Sequence, residues 1–241
     1  MEISPDQWII YEWNGLRLNA TIVFTWVVMA VLVLGSWAIT ARLSEGETVS
    51  RWQVMLEVIV GTIRDQIADI GTEKPERYLP FVGTLFLFIA TANLLIIIPG
   101  YDPPTGSLST TAALAICVLI AVPLFSIAQQ GFRAYIREYL QPTPIMLPFH
   151  LIGEISRTLA LAVRLYGNVM SGTVIVGILI GIAPLFFPVL LQLLGLLTGL
   201  VQAYIFAVLA TVYIASATRS RHRGADPDQA DNQTSQQANG D

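Results

Sequence analysis

Charge is what this sequence has least of, and what charge it has is clustered. Only 12 % of its 241 residues are Asp, Glu, Lys or Arg, against 54 % apolar. With a mean hydropathy of +0.62, that composition belongs to an integral membrane protein and not to a soluble globule. Cysteine is nearly missing as well. Cys117 stands alone inside an apolar run, which excludes a disulfide framework and a thiolate metal site and reads as a small buried hydrophobe. The two histidines, His150 and His222, lie near a proline-rich stretch and in a polar tail, so paired axial ligation of a haem within a membrane is excluded. His150, close to Glu154, reads as an interfacial residue. No glycine-rich phosphate loop ending in Lys-Ser or Lys-Thr occurs, so nucleotide chemistry would belong to other chains. The formal charge of −4, with its basic residues dispersed, excludes a nucleic-acid footprint. No internal repeat is visible, which argues against a self-contained secondary transporter or channel using an intramembrane arginine as counter-ion.

What is there is a set of long uncharged runs. Residues 1–17 hold Glu2, Asp6 and Glu12 against a lone Arg17, the reverse of a secretory leader, and read as an extracytoplasmic N-terminus. Leu18 to Ala41 is uncharged and long enough to span about 30 Å of hydrocarbon. Residues 42–77 turn to mixed charge, yet Trp52, Met55, Leu56, Ile59, Ile63, Ile67 and Ile70 recur at helical spacing, which predicts an amphipathic helix on the membrane surface or against a partner helix. A second crossing over 78–101 ends in a Pro-Gly turn cluster, and a third covers 108–128 with Pro123 as an expected kink. A loop over 129–150 leads to two further crossings, 151–183 and 186–218, joined by an uncharged turn. The Gln-, Asn- and Asp-rich tail after Thr218, over 219–241, cannot bury enough apolar area to order itself. The fold class predicted is an all-α membrane protein with five transmembrane crossings, an amphipathic surface helix and a long final hairpin. Gly177 with Gly181, and Gly195 with Gly199, predict close packing within that hairpin.

Orientation follows from counting cations. Arg42, Arg51, Arg64, Lys74, Arg77, Arg133, Arg137, Arg219, Arg221 and Arg223 all fall in segments that one side shares if the chain crosses five times, and the other side holds only Arg17. The positive-inside rule then puts the N-terminus outside and the tail in the cytoplasm.

One residue stands out against this pattern. Arg164 heads a run, Leu165 to Thr218, without a single charged side chain, equivalent to about 80 Å of helix. An arginine at a helix centre in hydrocarbon costs on the order of 3 kcal/mol on insertion scales, so a chain that keeps one there uses it. The alternative is a snorkelling side chain that reaches the headgroups. Arg157, Arg164, Asn168, Ser171 and Ile175 share one helical face. A guanidinium cannot give up its proton under physiological conditions, so it stays a fixed positive charge that draws a passing carboxylate into its ionised form. The deep run has no such carboxylate, and Glu154 lies outside it, so the acid is expected on another subunit. Gln192 and Gln202 are amides in the last helix, available to line a hydrated path or to join helices.

These residues carry a family resemblance. Ser156-Arg157-Thr158, the run Arg164-Leu165-Tyr166-Gly167-Asn168-Val169-Met170-Ser171-Gly172, Val201-Gln202-Ala203-Tyr204-Ile205-Phe206 and Thr211-Val212-Tyr213 closely resemble subunit a of the F-type rotary ATP synthase, and with Asn93-Leu94-Leu95, Pro99 and the Pro104–Ser109 turn the likeness covers most of residues 18–216. The resemblance implies a stator subunit in the cell membrane, not an enzyme on its own, whose last two helices lie tilted against a ring of c subunits carrying the essential carboxylate. It also implies contact with peripheral-stalk b subunits and the other subunits of the synthase. Arg164, Gln202 and Asn168 would serve ion translocation, with Ser171, Thr173, Glu154, Gln192 and Tyr213 as channel-lining candidates and no cofactor beyond the transported proton or sodium ion. Two positions depart from the family pattern: Thr173 stands where many members have an acid nine residues after the arginine, and Ile96 where an aspartate often follows the asparagine of the second crossing. Thr158 replaces a proline. Passage through hydroxyls, amides and water is the corresponding expectation.

Overall fold

A computed structural model describes residues 9–13, 16–41, 51–70, 75–98, 100–133, 146–182 and 187–219. The tail beyond Arg219, the turn at 183–186, and Arg42, Lys74 and Arg137 lie outside the described residues. Five helices among the described residues are long and apolar enough to cross a membrane: Ala20–Ala38, Pro75–Ile97, Leu108–Gln129, Pro148–Gly181 and Phe187–Ala217. The chain is therefore an all-α membrane protein in its spanning part.

One element is not helical. Strands β1 (Ile9–Trp13) and β2 (Leu16–Asn19) pair antiparallel, Trp13 opposite Leu16 and Tyr11 opposite Leu18. Between the two strands the sequence reads Asn14-Gly15, a dipeptide that favours a two-residue hairpin, and Ile, Tyr and Trp suit a pleated strand. The expectation of a plain N-terminal extension overlooked that signal.

Helix α1 (Ala20–Thr40) follows, then α2 (Arg51–Asp69), α3 (Pro75–Leu94), α4 (Leu108–Gln130), α5 (Met146–Ile182) and α6 (Phe187–Arg219). Helix α3 tightens into a 3-10 turn at Leu95–Ile97 and the chain swings out at Ile98, while Gly100 takes φ 85°, which a side chain would resist. A second short turn, Pro104–Gly106, is buried at the head of α4. Helix α4 runs unbroken through Pro123 and stops at Gly131, whose N–H donates to Ile127 O from a backbone with φ 83°.

The 37 residues of α5 and the 33 of α6 correspond to about 55 and 50 Å of helix, well beyond the ~30 Å of a bilayer core, so neither fits upright within it over its whole length. They run antiparallel, since Arg157 near the start of α5 lies over the ring of Tyr213 near the end of α6. The main core joins Leu85 and Ile89 of α3, Ala115 and Val118 of α4, Leu161, Ala162 and Leu165 of α5, and Ala203, Phe206 and Ala210 of α6. Small residues dominate the α6 side, which lets the helices approach.

The glycine pairs act differently from the expectation. Gly177, Gly181 and Gly195 have open space where a side chain would begin, so they mark no tight crossing between α5 and α6. Gly199 does sit at a close approach, but to α3: a Cβ there would stand 2.8 Å from Asn93, whose Nδ2 donates to Gly199 O at 3.3 Å and to Ile89 O at 2.8 Å. Cys117 is exposed on α4 and not buried. In an apolar run both faces look alike, so the sequence does not tell the exposed one from the buried one. Helix α2 does not lie free on the surface: Ile67 is 1 % exposed and packs with Tyr78, Val82 and Ala207, folding α2 back along α3 and α6.

Candidate functional site

Packing decides which way Arg164 points. Leu161, Ala162 and Leu165 are buried against α3, α4 and α6, and Val169, four residues on from Leu165, is buried too. That fixes the rotation of α5 and turns Ala160, Arg164, Gly167 and Ser171 to the opposite, exposed side. Among the described residues Arg164 has no ion pair and no hydrogen bond, whereas Arg64 is bridged to Glu76 at 3.3 Å. The side chains flanking Arg164 on its stripe are small, so a second helix can come within reach of the guanidinium.

At the start of α5 lies a cavity of about 220 Å³ bounded by His150, Glu154, Arg157 and Thr158 of α5, Tyr213 and Ser216 of α6, and apolar residues of α4. The Arg157 guanidinium carbon is 5.7 Å from the centre of the Tyr213 ring, a cation–π distance that ties the two long helices together at the cavity wall. Thr158 Oγ1 donates back to Glu154 O at 2.9 Å. Sequence spacing could not bring Glu154 to Tyr213, which lies far along the chain; the antiparallel hairpin does.

Three further polar atoms are buried without a hydrogen-bond partner among the described residues: Nε2 of Gln202, which is 6 % exposed, Thr105 Oγ1 and Tyr101 OH. The Pro104–Gly106 turn presses on α5 beside Val169, since a Cβ on Gly106 would stand 3.3 Å from Val169 Cγ1. Burial pushes the Tyr101 phenol above its ordinary value, so it stays a neutral donor.

The remaining predicted residues are distributed around this frame. Asn168 is half-buried next to the Arg164 stripe, and its carbonyl accepts from Ser171 Oγ at 3.1 Å. Thr173 Oγ1 donates to Val169 O at 3.1 Å. Gln192 lies apart from the others: its Nε2 donates to Ile96 O at 2.8 Å and ties the head of α6 to the end of α3. No hydrogen bond joins Gln202 to Arg164. Sequence reasoning missed Asn93, Tyr101 and Thr105 as residues with buried polar atoms. It also missed Arg157 as a cavity residue.

Residues 22–215 match the ATP synthase A chain family. Among relatives, "ATP synthase subunit a 1" of Chlorobaculum parvum is 62 % identical over 223 residues, covering 92 % of this chain and 99 % of that protein. "ATP synthase subunit a 2" of Acaryochloris marina is 62 % identical over 91 % of this chain and 94 % of its own. "ATP synthase subunit a" of Albidiferax ferrireducens is 59 % identical over 94 % and 98 %.

Proposed function

Since this chain belongs to the ATP synthase subunit a family and is the stator subunit a of an F-type ATP synthase, we propose that Arg164 is the fixed charge separating its two ion half-channels. The observation that carries this reading is an exposed guanidinium, without a partner among the described residues, at the head of a 54-residue stretch (165 to 218) that has no charge of its own. Such a cation in hydrocarbon is stabilised only when a carboxylate comes to it from outside. That carboxylate belongs to the ring of c subunits, and the small residues around Arg164 leave room for a ring helix to pass. Within about 4–6 Å the guanidinium favours the ionised acid, so each ring carboxylate releases its proton or sodium ion before it crosses and takes up another afterwards. Because arginine keeps its own proton, no ion passes straight from one half-channel to the other.

The cytoplasmic half-channel begins in the cavity of Glu154, Arg157 and Tyr213 and ends short of Arg164. The outer one follows the buried polar group, Tyr101, Thr105 and Gln202, toward Asn168, with Ser171 and Thr173 farther along α5. Buried donors with no protein partner are sites for water, and waters joining them would carry the ion where family members often use acids. Gln192 contributes by holding α6 to α3. The peripheral-stalk b subunits hold the chain against rotation, and the cation bias sets the N-terminus outside and the C-terminus in the cytoplasm.

The test is Arg164→Ala in the assembled complex reconstituted into vesicles. ATP-driven ion pumping is expected to be abolished while the small carboxylate-bearing ring subunits still copurify. Normal coupled pumping by an assembled variant would refute the assignment.

A further inference from the structure

A second cavity, about 180 Å³ in volume, runs between α2, α3 and α6, walled by Val58, Ile63, Ile67, Val82, Phe86 and Ala207. Four polar side chains also reach it, Thr62, Gln66, Tyr204 and Thr211, and each is already engaged within the protein. Thr62 Oγ1 donates to Val58 O at 2.8 Å, Thr211 Oγ1 to Ala207 O at 2.9 Å, and Tyr204 OH to Gln66 Oε1 at 2.6 Å. A buried water needs two to four polar partners, and this wall offers it little. A helix is about 10–12 Å across with its side chains and does not fit inside. The groove is nevertheless open, since Val58 on its rim is 60 % exposed. Its α3 and α6 walls lie in helices long and apolar enough to cross a membrane.

Its depth matches one leaflet. The exposed Arg64–Glu76 pair marks the water side, and Phe86 lies ten residues along α3 from Glu76, about 15 Å, or half of a ~30 Å bilayer core. We infer that this groove binds one acyl chain of a membrane phospholipid, with the headgroup at the level of Arg64 and Glu76 and the tail running to Phe86. The chain replaces solvent that the apolar walls reject and holds α2 against α6.

The intact complex is reconstituted into nanodiscs with a phosphatidylcholine carrying a diazirine midway along one acyl chain, and labelled peptides are read by mass spectrometry after photolysis. Labelling over residues 58–70 and 204–211 is expected severalfold above that on Trp26 and Trp37 of α1, which are exposed and sample ordinary surrounding lipid. Val58→Trp fills the groove from its exposed rim and should reduce labelling over 204–211 to the α1 level, with ATP-driven pumping as the check that the complex is intact. Labelling no higher than on α1 in the unaltered complex overturns the inference. So does a photoreactive residue at position 58 that captures a helix of another subunit in place of lipid. Because the labelling does not depend on Arg164, its failure leaves the translocation reading standing, and the reverse also holds.

Discussion

Arg164 and Gln202 are both polar residues in an apolar hairpin, but they sit in opposite situations. Among the described residues Arg164 is exposed without a counter-charge, while Gln202 is buried without a partner for its amide nitrogen. On the proposed function, removing the first removes the fixed charge between the half-channels, and removing the second removes one polar stop on a hydrated path. Gln202→Leu is therefore expected to slow ATP-driven pumping less than Arg164→Ala does. It should also leave the thermal midpoint of the complex unchanged or raise it, because an orphaned buried donor worth about 1–3 kcal/mol of penalty disappears. A fall in stability together with full pumping would show Gln202 to be a packing residue. Both residues were legible in the sequence, because a lone charge or amide against an unbroken apolar background needs no structure to be noticed. Tyr101 and Thr105 were not, because a hydroxyl near a Pro-rich turn looks solvated until its burial is known.

At the level of helices, the contact that orders the bundle is the tie of α3 to α6 through Asn93 and Gly199. Asn93 is 2 % exposed and donates to carbonyls on both helices, and the missing side chain of Gly199 is what allows it. Gly199→Ala should force Asn93 aside and lower stability by about 1–3 kcal/mol, read as a drop in the thermal midpoint. The same change at Gly195, where nothing lies within 4 Å, should be neutral or stabilising by up to about 1 kcal/mol. If Asn93→Ala with Gly199→Ala is no worse than Gly199→Ala alone, the two residues act as one unit; simple additivity would deny it. This tie was invisible in the sequence for a physical reason. A membrane helix is apolar toward lipid and toward core alike, so its periodicity does not say which face packs on which neighbour. The amphipathic α2 was legible because one of its faces is charged, and the strands at Ile9–Trp13 and Leu16–Asn19 were legible in principle through Asn14-Gly15.

For the molecule as a whole, five spans put the two ends on opposite sides of the membrane, and the orientation proposed above follows from the cation count. Ten Lys or Arg flank one set of span ends and Arg17 alone the other. The cytoplasmic surface attracts such residues by about 1 kcal/mol each near anionic lipid, so reversing the chain would forfeit on the order of several kcal/mol. In the proposed orientation the cavity with Glu154 and Arg157 lies toward the cation-rich side and Tyr101 and Thr105 toward the other, so the proposed assignment of the two half-channels depends on it. A fluorescent protein that matures only in the cytoplasm, fused after Asp241, should therefore fluoresce in cells, and an alkaline phosphatase active only after export should be silent at the same position. The reversed pair of signals would exchange the two half-channels without touching the role of Arg164, because a fixed charge between two aqueous paths works in either direction.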